Sequence, residues 1–218
     1  MRKPAWLAEV IVQSIAVTVS ILLALWVDQW KQRRAERTLA VESMRNFVEE
    51  ISKNQSRIDD ILMYHEGLQS HLQHVDSTHS IRTQTDFRNE VGLDGLRPPS
   101  LGQSAWQTAV ATGVLAHLDF RTVSLLSFTY NLQDRLRDDG RTGFQSVMQA
   151  SDFRPGGADL AVHSAENYLA EVLGAERDLR ASYVEAEQIL NQKLRQMDQS
   201  VAVDTAASGL HQQGAPAR

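Results

Sequence analysis

The sequence predicts an all-α fold in which one N-terminal transmembrane helix continues into an antiparallel helical bundle, a coiled-coil-like hairpin with two shorter helices. Residues 10–27 form a nearly unbroken apolar run, and residues 40–75 and 159–197 each repeat apolar side chains in steps of three and four. That spacing is typical of the packed face of a helix. We expect three parts: a transmembrane anchor (1–30), a helical bundle domain (31–199) and a disordered tail (200–218).

The N-terminal run is long enough to cross a bilayer. A hydrocarbon core about 30 Å thick needs roughly 20 apolar residues in a helix, and no charged residue lies between Glu9 and Asp28. A cleaved signal peptide is one alternative, but Leu22 and Leu23 precede Ala24 and make a poor cleavage site. A core helix of a soluble protein is another, but such a helix is rarely apolar on every side at this length. The residues expected at the membrane interface are Trp6, Trp26, Trp30, Lys31, Arg33, Arg34 and Arg37.

The basic residues on either side of the span bear on its orientation. Arg2 and Lys3 precede the span, and the four basic residues just named follow it. Because cytoplasmic flanks carry an excess of Lys and Arg, the sequence favours a cytoplasmic bundle. A periplasmic bundle is the alternative, since long domains cross a membrane largely regardless of charge.

Residues 20–30 read Ser-Ile-Leu-Leu-Ala-Leu-Trp-Val-Asp-Gln-Trp and lead into a charged segment. This pattern resembles an uncharacterised family of short bacterial single-span membrane proteins, in which an Ile-Leu-x-Ala-Leu run precedes a Trp and a long charged helix. The resemblance implies a single-pass protein of the bacterial inner membrane, and it implies no activity because none is established for the family. The residues that carry it are Ala24, Leu25 and Trp30, with Trp106, Gly113 and Tyr130 further along.

Composition excludes several classes of site and partner. The chain contains no cysteine, so disulfides, thiolate nucleophiles and cysteine-based zinc or iron–sulfur sites are excluded. The net charge is −5, whereas nucleic-acid-binding domains are usually strongly basic. We therefore expect no nucleic acid among the partners.

The first long helix is expected to continue directly from the span. No glycine or proline lies between Asp28 and Arg37, and Gly67 is the only glycine in residues 40–75. The heptad spacing of this stretch is typical of a coiled-coil seam. Its seam residues are Met44, Phe47, Ile51, Asn54, Ile58, Ile61, His65, Leu68, Leu72 and Val75.

The middle of the chain is expected to begin with a loop and a shorter helix. Residues 76–101 are rich in Gly, Pro, Ser and Thr and indicate a connector with at most a short helix at 86–91. A helix is expected at 104–117, where Ser104 and Gln107 have the spacing of a capping box.

A third helix is expected to run from Asp119, its cap, to about residue 139. Gly140 would end it in a left-handed conformation, and residues 141–158, with Pro155 among their glycines, indicate a second loop. Two apolar faces indicate a helix packed from two sides. One face comprises Phe120, Val123, Leu126 and Tyr130, and the other comprises Leu125, Phe128, Leu132 and Leu136.

The last long helix is expected to start at a cap on Asp159 and to reach about Met197. Its apolar side chains again follow the heptad spacing, and the polar residues after Ser200 indicate disorder. The seam residues are Ala165, Leu169, Val172, Glu176, Leu179, Tyr183, Ala186, Leu190 and Met197.

Antiparallel packing of the two long helices predicts which residues meet. If Met44 faces Met197, then His65 falls opposite Glu176, and both are polar exceptions in apolar seams. We hypothesise that these two side chains pair and fix the register. The alternative is that both lie at the edge of the seam and extend to water. The same register pairs Ile51 with Leu190, Ile58 with Tyr183 and Leu68 with Val172.

One histidine cluster resembles a set of metal ligands. His71, His74 and His79 are spaced so that they could share an ion, and imidazole suits zinc or nickel. A solvated helix end is the favoured interpretation, because such spacing is common by chance. A di-iron site would need Glu-x-x-His motifs on facing helices, whereas His163 and Glu166 have the reverse order. We therefore expect no metal and no cofactor.

No other pattern indicates catalysis. Paired acids on the first long helix lie mostly away from its seam, so a solvated face is expected rather than an acid–base pair. The chain has no phosphate-binding glycine loop and no nucleophile elbow. Trp106 is expected to anchor the core rather than to stack on a ligand. The paired acids are Glu49, Glu50, Asp59 and Asp60.

The expected function is therefore that of a membrane-anchored, non-enzymatic interaction or scaffold subunit. Its expected partners are the lipid bilayer and either another membrane protein or a second copy of the chain. A membrane-linked sensor or ligand-binding module is the alternative. An enzyme is the least supported of the three, because no grouping of catalytic residues is recognisable.

Overall fold

A computed structural model describes residues 5–78, 81, 83–91, 96, 98–151 and 157–212. All regular secondary structure in these ranges is helical, which confirms the predicted fold class. The elements are α1 (Ala5–Thr78), α2 (Gln84–Val91), α3 (Ser104–Thr112), a 3₁₀ turn (Val114–His117), α4 (Phe120–Ser151) and α5 (Gly157–Gln212). The short helix expected at 86–91 corresponds to α2.

Helix α1 is one continuous helix of 74 residues with two different halves. Every residue from 13 to 30 is exposed, whereas burial begins at Ala40 and continues along the predicted seam to Leu72. No described residue between the two halves leaves the helix. The expected continuity from the apolar run into the bundle is therefore present.

Helix α5 packs along both α1 and α4 and forms the centre of the bundle. It runs antiparallel to both, so α1 and α4 are parallel to each other. Helices α1 and α4 meet through long side chains: Tyr130 reaches Glu50, and Gln133 reaches Asn54. Helix α3 and its preceding segment lie between α1 and α4. The largest fully buried side chains are Tyr130, Tyr183, Phe47, Phe87, Met44, Ile51, Ile58, Leu72, Leu96, Leu126, Leu136 and Leu169.

The structure has the register that the heptads predict for α1 and α5. Exposed ion pairs contribute little stability, so the buried seams, rather than the surface charges, determine this alignment. Four polar contacts follow one antiparallel order: His65 with Glu176, Glu66 with Arg177, Asp59 with Arg180, and Arg45 with Asp198.

The capping box predicted for α3 is wrong. Ser104 is the first helical residue, and its hydroxyl donates to the Glu50 carboxylate of α1 rather than closing a box with Gln107. The N-cap position belongs to Gln103, which makes no side-chain cap bond. The helix is also shorter than expected, because Gly113 ends it with a φ of 71°, a left-handed conformation that glycine adopts without steric cost.

The helix end predicted at Gly140 is wrong as well, because α4 continues to Ser151 through most of the expected loop. A Cβ atom on Gly140 would lie 2.8 Å from the Cβ of Pro98, and one on Gly143 would overlap the ring of Tyr168. These two glycines therefore allow close packing against a continuous helix. Glycine is needed at both positions because a side chain would collide with a neighbour. The prediction instead assigned Gly140 a left-handed backbone conformation at a helix end.

The cap predicted at the start of α4 is confirmed. The Asp119 carboxylate accepts hydrogen bonds from the Thr122 N–H at 3.2 Å and from the Thr122 hydroxyl at 2.7 Å. The prediction of two buried faces is wrong in part, since Phe120 and Phe128 are 86% and 57% exposed. Helix α4 buries one face, centred on Leu126 and Tyr130.

Helix α5 is longer than predicted at both ends. It begins at Gly157, so Asp159 lies within the first turn rather than at the cap. At the other end it continues beyond Ser200 to Gln212, where the sequence indicates disorder. The remaining residues of the expected tail, 213–218, lie outside the described residues.

Candidate functional site

A buried polar network lies where the segment before α3 crosses between α1 and α4. Asn54 Nδ2 donates to the Gly102 carbonyl at 2.8 Å, and the Gly102 N–H donates to Asn54 Oδ1 at 2.8 Å. Gln133 Nε2 donates to the same carbonyl at 2.9 Å, and the Tyr183 hydroxyl donates to Gln133 Oε1 at 2.6 Å. We call these residues, together with Glu50, the polar junction. They bind three helices to one loop residue.

Glu50 holds the N-terminus of α3. Its carboxylate accepts hydrogen bonds from the Ser104 hydroxyl at 2.5 Å, the Ala105 N–H at 3.0 Å and the Tyr130 hydroxyl at 2.7 Å. A carboxylate at a helix N-terminus satisfies free N–H groups and interacts favourably with the helix dipole. The solvated face predicted for Glu50 is therefore wrong, because α3 folds onto this side of α1.

The other three paired acids behave as solvent-facing groups. Glu49 forms an exposed ion pair with Lys53 at 2.6 Å, and that hydrogen bond lowers the pKa of the Glu49 carboxyl. Asp59 pairs with Arg180 of α5, and Asp60 is exposed. These carboxylates lie at the surface of the α1–α5 contact.

The tyrosines of the junction act as hydrogen-bond donors. Burial raises the pKa of Tyr130 well above its ordinary value, and the hydrogen bond to Glu50 raises it further. Burial likewise raises the pKa of Tyr183. Both hydroxyls therefore keep their protons at neutral pH, which suits a structural network and not proton transfer.

Trp106 packs against the core, in agreement with its predicted role. Its ring stacks on Tyr130 with centroids 5.4 Å apart and planes at 20°, and it lies 6.5 Å from the ring of Phe47. The side chain is half-buried. It therefore packs α3 against Phe47 of α1 and Tyr130 of α4.

The predicted contact between His65 and Glu176 is present. Nδ1 of His65 lies 2.8 Å from Oε1 of Glu176, and both side chains are 0% exposed. The alternative, in which both extend to water from the edge of the seam, is wrong because neither reaches the surface. Oε2 of Glu176 accepts no hydrogen bond from the described part of the chain. The pair thus combines full burial with incomplete hydrogen bonding.

The structure describes two of the three histidines considered as metal ligands, His71 and His74. His71 Nε2 lies 3.0 Å from Glu90 Oε2 and connects α1 to α2. His74 is exposed, and His79 lies outside the described residues. Within the described ranges no group of three His, Asp or Glu residues is arranged to hold a metal ion. His163 and Glu166 form only a local pair, with 3.3 Å between Nδ1 and Oε2.

The exposed half of α1 is the one described helix that is long and apolar enough to cross a membrane. Its hydroxyls bond within the helix: Thr18 donates to the Ser14 carbonyl and Ser20 to the Ala16 carbonyl, each at 2.8 Å. A membrane-spanning helix must satisfy its polar groups in this way.

The expected interface residues flank this apolar stretch. Trp26 and Trp30 are 61% and 51% exposed, and the guanidinium of Arg34 lies 5.7 Å from the centroid of the Trp30 ring. The basic residues Lys31, Arg33 and Arg37 are also exposed, and the Trp6 side chain lies outside the described residues. Their contact with a bilayer stays a prediction.

The chain matches no protein-family model, no curated protein and no solved structure. The resemblance to short bacterial membrane proteins therefore stays a prediction. Most of the polar junction was not predictable from the sequence. Asn54 was visible as a polar residue in a heptad seam, whereas nothing in the sequence marks Gly102 or Gln133 as its partners.

Proposed function

We propose that this protein is a single-pass membrane protein whose helical bundle serves as a non-enzymatic interaction or scaffold subunit of a membrane complex. The observation that supports this most is the form of α1. Its apolar N-terminal half touches no other part of the described chain, and the same helix then forms the seam of the bundle. An apolar stretch of this size exposed to water would favour aggregation.

The polar groups of the bundle support a structural role. Glu50, Asn54 and Gln133 direct their hydrogen bonds at one another, at the start of α3 and at the loop before it. The tyrosines beside them keep their protons at neutral pH. A bundle stiffened in this way is suited to present a fixed surface to another membrane protein or to a second copy of the chain. We propose no nucleic-acid partner and no cofactor.

We further propose that the protein resides in a bacterial inner membrane with the bundle on the cytoplasmic side. Lys31, Arg33, Arg34 and Arg37 lie on consecutive turns just beyond Trp30, where the positive-inside rule counts them. A reporter fused to the C-terminus tests the orientation. A reporter active only in the periplasm would contradict the cytoplasmic assignment.

Membrane fractionation of the full chain tests the anchor. We expect the protein to stay in the membrane after alkaline carbonate washing and to dissolve in mild detergent. The control is a double variant, Leu22→Arg with Leu23→Arg, which places two charges within the span and leaves the bundle untouched. We expect this variant to appear in the soluble fraction. If both proteins wash off equally, the span does not anchor the chain.

Light scattering in detergent, with identification of copurified proteins, tests the interaction role. We expect either a particle larger than one chain or a specific membrane-protein partner. A strictly monomeric protein without a partner would contradict the proposal.

One observation favours the sensor module as a second candidate. An open cleft of about 380 Å³ lies between α1 and the start of α3, lined by charged and polar side chains that include Glu50, Lys53 and Arg57. A ligand bound there would contact α1 directly, and α1 continues into the span without a break. Thermal-shift screening of the detergent-solubilised protein against small polar molecules tests this candidate. A stabilising ligand whose effect is lost in Lys53→Ala would favour it.

A further inference from the structure

We propose that the corner between the 3₁₀ turn and α4, residues 117–121, docks onto the headgroups of the bilayer that holds the span, with Phe120 inserted among them. This inference rests on the proposed function, in which residues 10–27 cross a membrane. It adds a second, peripheral contact with lipid, so that the bundle is held at two points.

Phe120 is held in a fixed outward position. It is 86% exposed, the largest value among the large apolar side chains of the described part. The preceding residue, Asp119, caps α4 through Thr122 and accepts a hydrogen bond of 2.5 Å from Lys193 of α5. The Phe120 side chain therefore cannot turn inward unless Asp119 loses its hydrogen bonds with Thr122 and with Lys193 of α5. An aromatic ring presented in this way is typical of residues at a membrane interface.

The corner lies at the end of the bundle nearest the span. His117 Nδ1 is 3.8 Å from Oε2 of Glu36, and Glu36 lies six residues, or about 9 Å, beyond Trp30 along α1. Helix α4 runs parallel to α1 and begins at Phe120. Because helical side chains tilt toward the N-terminus of their helix, the ring of Phe120 points toward the span.

The contact between Tyr130 and Glu50 gives a second measure of this height. Glu50 lies about 30 Å beyond Trp30, and Phe120 lies about 15 Å back along α4 from Tyr130. The Cα of Phe120 is therefore about 15 Å above the level of Trp30, and its tilted ring about 5 Å lower. A headgroup layer is about 5–7 Å thick, and a span tilt of about 20° lowers one side of the bundle by a further 3 Å or so. When the span tilts toward the side of α4, the ring of Phe120 thus lies about 7 Å from the level of Trp30, at the outer edge of the headgroup layer.

The charges around the corner complement an anionic surface. Two acids at the corner have basic partners: Glu36 lies beside the imidazole of His117, and Asp119 forms an ion pair with Lys193. The basic residues of the same region are exposed, so they form a positive collar on the side that faces the membrane. These exposed basic residues are Lys31, Arg33, Arg34, Arg37 and Arg121.

Spin labelling of the full-length protein tests this docking. Because the chain has no cysteine, each introduced cysteine carries the only label. The variants Leu22→Cys, Phe120→Cys and Phe128→Cys are placed in nanodiscs that contain phosphatidylcholine and phosphatidylglycerol. Collision rates of the label with oxygen and with a water-soluble nickel chelate then report its depth. Phe128 is the matched control, since it is also exposed on α4 but lies about 12 Å further from the span.

We expect the label at position 120 to be severalfold less accessible to the nickel chelate than the label at 128, and the label at 22 to be accessible mainly to oxygen. Equal nickel accessibility at 120 and 128 would overturn the docking of the corner and leave the anchor intact. A label at 22 that is open to nickel would overturn the proposed function itself. Spin–spin broadening at 120 that disappears on dilution with unlabelled protein would show a second copy on Phe120, and would also overturn the inference.

Discussion

The bundle contains two polar clusters that differ in how completely their groups are hydrogen-bonded. In the polar junction, the amides of Asn54 and Gln133 use their donors and acceptors on Gly102, on Tyr183 and on each other. The His65–Glu176 pair is ionisable, and one carboxylate oxygen of Glu176 accepts no bond from the described residues. Burying a polar network costs little free energy when its groups are all hydrogen-bonded, whereas burying an ionisable pair carries a desolvation penalty. The junction is therefore the stabilising element, and the pair is the better candidate for selecting the register.

Removing one member of the ionisable pair should have the largest effect. We expect His65→Leu to lower the free energy of unfolding by about 3–5 kcal/mol, because it leaves a buried carboxylate without its partner. The double variant, His65→Leu with Glu176→Leu, should recover most of that loss. Denaturant titration of the full chain in detergent, followed by circular dichroism, measures both. Equal losses in the two variants would mean that the carboxylate is not the source of the penalty.

Removing the central amide of the junction should have a smaller effect. We expect Asn54→Leu to cost about 2–3 kcal/mol, because the Gly102 N–H loses Asn54 Oδ1 as its acceptor while the Gly102 carbonyl keeps Gln133. Amide hydrogen exchange at Gly102 should accelerate in this variant. The exposed neighbour Ser56→Ala serves as the control and should leave both measurements unchanged. Unaltered exchange at Gly102 in Asn54→Leu would contradict the assigned hydrogen bond.

The charged member of the junction can be compared with its neighbour in the chain. We expect Glu50→Ala to cost about 1–2 kcal/mol, in the range of a lost helix cap, since the Ala105 N–H in the first turn of α3 loses its Glu50 acceptor. Glu49→Ala should cost less than about 0.5 kcal/mol, because its ion pair with Lys53 is exposed. The same denaturant titration distinguishes them. A reversed order would mean that α3 does not depend on Glu50.

A small effect should come from the partly exposed pair of Asp119 and Lys193. The hydrogen bond from Lys193 lowers the pKa of the Asp119 carboxyl from 3.8 to about 2. The folded-state pKa is depressed, so this contribution is present above about pH 4 and is lost as the pH falls toward 2. Because the carboxylate is half exposed, we expect less than about 1 kcal/mol. Lys193→Met should flatten the stability profile in that range, and an unchanged acid slope would contradict the assignment.

The sequence predicts the α1–α5 pairing well, because both helices carry long heptads whose polar exceptions can be aligned. It predicts α4 poorly. In the sequence, Gly140 and Gly143 look like residues that end a helix. Only the positions of Pro98 and Tyr168 in the structure show that these glycines make room for neighbouring side chains. The prediction that Glu50 lies on a solvated face was wrong for a related reason. Its exposure depends on the path of the chain after residue 91, and no local pattern in the sequence specifies that path.

The length of α1 has a mechanical consequence. From Trp30 to its last residue, Thr78, the helix is a rigid lever arm about 72 Å long. Tilting this segment by about 10° at its membrane end, Trp30, would move its other end, Thr78, by about 12 Å, which is roughly the diameter of a helix with its side chains. A small angular change in the lipid phase thus becomes a large displacement at the end of the molecule that carries α2.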